Sequence, residues 1–319
     1  MKPWLKLWAH ASILLLLAAG GCSQFNAPAR AQNRGESPLQ FIGQWGAKGN
    51  GPGQLDDPEG MATDRIGNVY IADAGSQFVH KFSFEGTPLL SLQEDSLKEP
   101  ESIAVDLDGT VYVTDPSRAL VFVIFPTEER DRHRALRLKT RPSSENSITV
   151  AVDDDGMAYV FDQSTAKVFT FSSRLFLRHA WIASPAGMEA VRKKPSDDLG
   201  PLELGGDGNL YLADVSANRL LRFSVDGRFL GSVAPPSGVG DRKISNEFVV
   251  SRSYIFMMDA NSPTLHVWNL DGSPKLDFDL SEQLGPTHHY PPLLALSPRR
   301  ELLVLDTTVP HVLRYRINF

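Results

Sequence analysis

The chain has 319 residues, a single cysteine and a formal net charge of −6. One cysteine excludes disulfide bonds, c-type haem attachment and cysteine-ligated metal clusters. An acidic balance argues against nucleic acid as a partner, and the charge deepens to −8 when Lys2 and Lys6 of the leader are set aside.

Residues 1–21 read as a signal peptide. Lys2 and Lys6 give a positive start, Leu7 to Ala19 an apolar core, and Gly20-Gly21-Cys22 a small-residue cleavage region. The apolar stretch is shorter than the ~20 residues a membrane-spanning helix needs. The lone cysteine, Cys22, stands where cleavage would leave it first in the mature chain. Residues 22–37 are polar, rich in Ala, Asn and Arg, and read as a flexible tether.

From residue 38 onward the chain repeats. Six short apolar strands end in aspartate: VYIAD at Asp73, VYVTD at Asp115, AYVFD at Asp162, LYLAD at Asp214, IFMMD at Asp259 and LLVLD at Asp306. The intervals are 42, 47, 52, 45 and 47 residues. A period in this range marks a propeller or a solenoid. Each unit adds a preceding strand that ends near an acid (Asp64, Asp106, Asp153), a glycine-containing turn, a second strand in fixed register and an outer run. The fifth and sixth units carry Val250 and Ser297 where that first acid is expected. Four strands per unit make a propeller blade. Runs such as VYIA and LYLA are apolar on both faces, as strands buried between stacked blades must be.

The expected fold is all-β: a six-bladed propeller over residues 38–319. The last unit stops at Phe319 with no outer strand, while PLQFIGQWG (Pro38–Gly46) precedes the first unit with no partner of its own. The N-terminal strand is therefore expected to complete the sixth blade and to remove exposed sheet edges.

The segment LDDPEGMATDRIGNVYIADAGSQFVHKF (Leu55–Phe82) resembles the NHL-repeat consensus, with Pro58, Gly60, Asp64, Gly67, Asn68, Asp73 and Phe82 in place. The second and fourth units resemble it less completely, and the fifth and sixth only in register. The resemblance implies a six-bladed ring and no single activity. Likewise Leu17-Ala18-Ala19-Gly20-Gly21-Cys22 resembles a bacterial lipoprotein box, with Ala19 where leucine is commoner. That resemblance implies cleavage before Cys22 and lipidation of its thiol, so the membrane is an expected partner through Cys22. Ser23 at the next position resembles an outer-membrane address, facing the periplasm or the exterior.

The strand-end aspartates are expected to be structural, accepting backbone N–H groups at the turns that follow them. Gly46 to Gly53 lacks the Gly-Lys-Ser/Thr ending of a phosphate loop. After the leader the histidines are His80, His133, His179, His266, His288, His289 and His311, and only His288 and His289 precede an innermost strand. A zinc site with three convergent imidazoles is not expected from this distribution.

One rim of the ring gathers carboxylates. Just before the innermost strands stand Asp56-Asp57, Lys98-Glu99, Glu145-Asn146, Asp197-Asp198, Arg242-Lys243 and His289-Tyr290, and the first two units add Glu59 and Glu101. Asp56, Asp57, Glu59, Glu99, Glu101, Glu145, Asp197, Asp198 and His289 are thus the candidate residues of a channel mouth. Charge of one sign around a cleft focuses its field on a cation or basic peptide. The expected function is an envelope-anchored module that binds a protein or peptide, or serves as a scaffold, without catalysis or cofactor. The alternative is a metal-dependent hydrolase or lyase with a divalent cation at this mouth.

Overall fold

The computed structural model describes residues 37–125, 133–138, 142, 147–184, 199–235, 244–285 and 291–319. Cys22, the tether, Glu145, Asp197, Asp198 and His289 lie outside the described residues, as does the insertion Pro185 to Pro195. Among the described residues no helix is long and apolar enough to cross a membrane.

In chain order the strands are β1 (Leu39–Trp45), then β2 (Pro58–Thr63), β3 (Val69–Asp73), β4 (Phe78–Phe82) and β5 (Pro88–Gln93) of the first blade. The second blade has β6 (Ile103–Val105), β7 (Val111–Asp115), β8 (Leu120–Ile124) and β9 (His133–Arg137), and the third β10 (Ile148–Val152), β11 (Ala158–Asp162), β12 (Lys167–Phe171) and β13 (Leu177–Ile182). The fourth has β14 (Leu199–Leu204), β15 (Leu210–Asp214), β16 (Arg219–Phe223) and β17 (Phe229–Val233). The fifth has β18 (Ile244–Val250), β19 (Tyr254–Asp259), β20 (Thr264–Asn269) and β21 (Pro274–Asp279). A single helical turn, α1 (Ser281–Leu284), precedes β22 (Leu293–Ser297), β23 (Glu301–Asp306) and β24 (His311–Ile317). Six four-stranded antiparallel sheets result, and the sixth has the order β1-β24-β23-β22. The fold is a six-bladed β-propeller.

The second strand of every blade is buried along its length, as Val69 to Asp73 and Ala158 to Asp162 are, except for half-buried Tyr254 at the start of β19. The apolar side chains of each blade pack on both neighbours. Tyr70, Ala72 and Val79 of the first blade meet Val111, Val113 and Phe122 of the second, and equivalent clusters recur around the ring. The innermost strands touch in cyclic order, with β2 against both β6 and β22.

Closure by β1 is visible in side-chain detail. Trp45, in the outer strand of the sixth blade, packs its ring 4.8 Å from Phe82 of the first blade. Trp181, in the outer strand of the third blade, sits 5.0 Å from Phe223 of the fourth. The two pairs occupy equivalent positions, so the N-terminal strand behaves as an ordinary outer strand. Each tryptophan lies over a glycine at positive φ: a Cβ on Gly86 would meet Trp45 at 2.2 Å and one on Gly227 would meet Trp181 at 2.6 Å. Only glycine admits both the backbone and the indole.

The first-acid position differs from expectation in two blades. Val250 pairs with Ile255 because the fifth hairpin is one residue shorter, which puts Ser251 at the turn. Its hydroxyl accepts the amides of Ser253 and Tyr254, where the aspartates of other blades do the same. In the fourth blade Gly205 occupies the position and Asp207 supplies the carboxylate to Asn209 and Tyr211.

Candidate functional site

The strand-end aspartates hold the loops that lead to the axis. Buried Asp73 accepts the amides of Asp56 at 2.8 Å, Asp57 at 3.0 Å and Ser76 at 3.1 Å. Asp115 accepts those of Lys98 at 2.8 Å and Glu99 at 3.4 Å. In the third blade Gln163 takes this part, its Oε1 accepting the amide of Ser147 at 2.8 Å. The acidic rim in the first two blades is thus fixed in place by backbone hydrogen bonds.

Inside this rim lies an axial cavity of about 240 Å³, lined by residues on or next to all six innermost strands. Glu59 and Glu101 line it, as do two glutamates not singled out from sequence, Glu203 of β14 and Glu247 of β18. Asp56, Asp57 and Glu99 are near neighbours on the rim rather than in the lining. No lysine, arginine or histidine lines the cavity among the described residues. Gly60 brings the first two innermost strands together: a Cβ there would fall 2.1 Å from the Glu101 carbonyl oxygen.

Protein packed around these carboxylates disfavours their charged forms, least so for Glu59, which keeps an exposed face. Burial pushes Glu203 up to about 8. Glu101 is raised to about 7 by burial, opposed by a hydrogen bond from Ser147 and reinforced by Glu59, Glu99 and Asp115. Glu59 is raised to about 7 by burial together with Asp57 and Asp73. Glu247 is driven well above the ordinary carboxylate range by burial, then by Glu203, Glu59 and Glu101. These groups sense one another, so they titrate as a set. At neutral pH the cavity holds a mixture of carboxylates and carboxylic acids. It can accept a cation by releasing protons.

The described histidines stay away from this cavity. His80 Nδ1 meets Ser91 Oγ of the outer strand at 2.8 Å. His266 lies between Asp259, at 3.2 Å, and Asp277, at 2.8 Å. Among the described residues no three His, Cys, Asp or Glu side chains are placed to share one metal ion.

No family model matches the chain, and no curated protein matches it. Solved structures do. A streptogramin B lyase superposes with a TM-score of 0.61 at 9% identity, covering 88% of this chain and 98% of the other. Virginiamycin B lyase from Staphylococcus aureus gives 0.58 at 11% identity, over 88% and 89% of the two chains. Regucalcin from Agrobacterium tumefaciens, a calcium-binding protein, gives 0.59 at 12%, over 87% and 94%. At such identities the likeness is one of fold. The chain is similar in fold to proteins with unlike activities, and a shared fold carries no activity with it.

Proposed function

We propose that this is an exported propeller with NHL-type blades, anchored in the bacterial envelope by lipid on Cys22, that binds a basic segment of a protein or peptide at its acidic rim and axial cavity. The observation that carries the reading is the convergence of Glu59, Glu101, Glu203 and Glu247 on one cavity with no cationic side chain in its described lining. An arginine or lysine side chain is a narrow apolar stem with a charged head. It fits a channel walled by Met61, Ile103, Phe248 and Leu294 and floored by carboxylates. The rim aspartates add a field that draws such a group in. Cys22 at the end of a signal-like segment supports the anchor, and the lipoprotein-like box supports the envelope address.

The test is peptide binding by calorimetry. Lysine- and arginine-rich peptides should bind, acidic peptides of the same length should not, and Glu59→Gln with Glu101→Gln should weaken the basic peptides at least tenfold. Equal binding of both peptide classes, or basic peptides unaffected by the double substitution, would refute the reading.

A further inference from the structure

At the other end of the innermost strands, the hairpins that join the first two strands of each blade surround a second cavity, of about 1140 Å³. Asp64, Asp106 and Asp153 turn inward here, each accepting amides of its own hairpin and the hydroxyl of a tyrosine in the next strand. The remaining hairpin charges fall in two blocks. The fifth, sixth and first blades present Arg252, Arg299, Arg300 and Arg65 and no further acid; the second, third and fourth present Asp108, Asp154, Asp155 and Asp207 and no base. Three adjacent blades form a positive arc and the three opposite them a negative one.

Several of these charges are unspent. Arg65, Arg252, Asp108, Asp154 and Asp155 are exposed, with no side-chain partner among the described residues. Asp207 is held by Asn209 and Tyr211. The outer hairpins carry both signs against this pattern, Glu85 and Asp271 on blades of the positive arc and Arg174 on one of the negative arc, so the division belongs to the inner ring; Glu85 lies 3.5 Å from Arg299. The same ring exposes two large apolar side chains, Ile66 at 65% and Leu107 at 43%, on the adjacent first and second blades.

We propose that this face is the contact surface for a second copy of the chain, related by a two-fold axis lying in the face. A half-positive, half-negative disc is self-complementary under such an axis if the axis follows the boundary between the arcs. That boundary runs between the first and second blades and between the fourth and fifth. The rotation then sets the first blade on the partner copy's second, the third on its sixth and the fourth on its fifth. Arg65 meets Asp108, Asp154 and Asp155 meet Arg299 and Arg300, and Arg252 meets Asp207. The same operation places Ile66 on Leu107 twice, next to the axis. The charge division and the exposed apolar pair are independent observations, and one axis accounts for both.

Sedimentation of the full chain in detergent tests this. At low salt the mass should be that of two chains. Raising salt from about 0.01 M to about 1 M shortens the screening length from roughly 30 Å to roughly 3 Å and should weaken the dimer at least tenfold. Asp154→Lys with Asp155→Lys, and separately Arg300→Glu, should each give monomers with unchanged blade structure by circular dichroism. An equimolar mixture of the two variants should restore a dimer, because reversed third and sixth blades again oppose. A wild type that is monomeric at low salt gives the face to some other partner and overturns the proposal. So do dimers that survive either reversal, and a mixture that stays monomeric.

Discussion

Asp57 donates its amide to Asp73 Oδ1 at 3.0 Å, across 16 residues of sequence. This contact ties the acidic rim of the first blade to the end of its second strand, and the same carboxylate also holds Asp56 and Ser76. A residue repeated for the sake of the blade therefore also sets the position of the rim. Replacing Asp73 by Ala leaves three amides without their acceptor. Hydrogen bonds to charged groups contribute roughly 1.5–3 kcal/mol each, not additively, so a loss of about 3 kcal/mol is expected. Asp73→Asn keeps one acceptor oxygen and should lose less. Chemical denaturation of both variants checks the order; equal stability to wild type would show that the clamp contributes nothing.

The raised carboxyls predict a pH dependence with a definite sign. The folded protein keeps protons on Glu203 up to about 8, whereas the unfolded chain loses them near the ordinary 4.5. The stability linked to that proton is complete below the unfolded value and is lost as pH rises through the folded one. Melting temperature should therefore fall between pH 5 and pH 8. Glu203→Gln, which mimics the protonated acid, should flatten the fall and stabilise the protein at pH 8 by roughly 1–3 kcal/mol, allowing for water in the channel. A melting temperature that rises over this range in the wild type would contradict the assignment.

Much of this was legible in the residues. The aspartate spacing gave blade number and register, and the unpaired strand before the first unit pointed to β1 as the outer strand of the sixth blade. Glu59 and Glu101 were found because they follow Pro58 and its counterpart in regular units. Glu203 was missed because it stands opposite a tyrosine where other blades carry Ala62 and Ala104, three places past the position of Glu59; Glu247 was missed because β18 holds an extra residue between Ile244 and Phe248. A bulge slips the count, so residues numbered from the proline no longer face the same way. The usable signal was chemical: a glutamate inside an otherwise apolar innermost strand, as in PLEL and NEFVV, has only the axis to face.

Ring closure can be tested by truncation. Removing residues 38–46 deletes β1, takes Leu39 and Trp45 from their cores and exposes the edge of β24. Melting temperature should drop sharply and aggregation increase. Removing 23–35 should do neither. Similar small effects from both deletions would contradict closure by this strand.

The proposed anchor is lipid on Cys22. Cys22→Ala should move the protein out of the membrane fraction after a high-salt wash, since stable attachment needs more than one acyl chain and the thiol carries part of that set. Retention of the variant in membranes would refute the lipid anchor.

In the proposed function a basic group enters the glutamate cavity and displaces protons. The most direct measurement of this is the affinity of one arginine-rich peptide at pH 6 and pH 8, for the wild type and for Glu203→Gln with Glu247→Gln. Each proton released on binding tightens affinity by up to about tenfold per pH unit in the range where the carboxyls titrate. The wild type should bind at least tenfold tighter at pH 8 than at pH 6, and the double variant should bind more weakly and with a shallower pH dependence, the part left to Glu59 and Glu101. A wild-type affinity that does not change with pH, or a double variant that keeps the wild-type profile, would contradict the account.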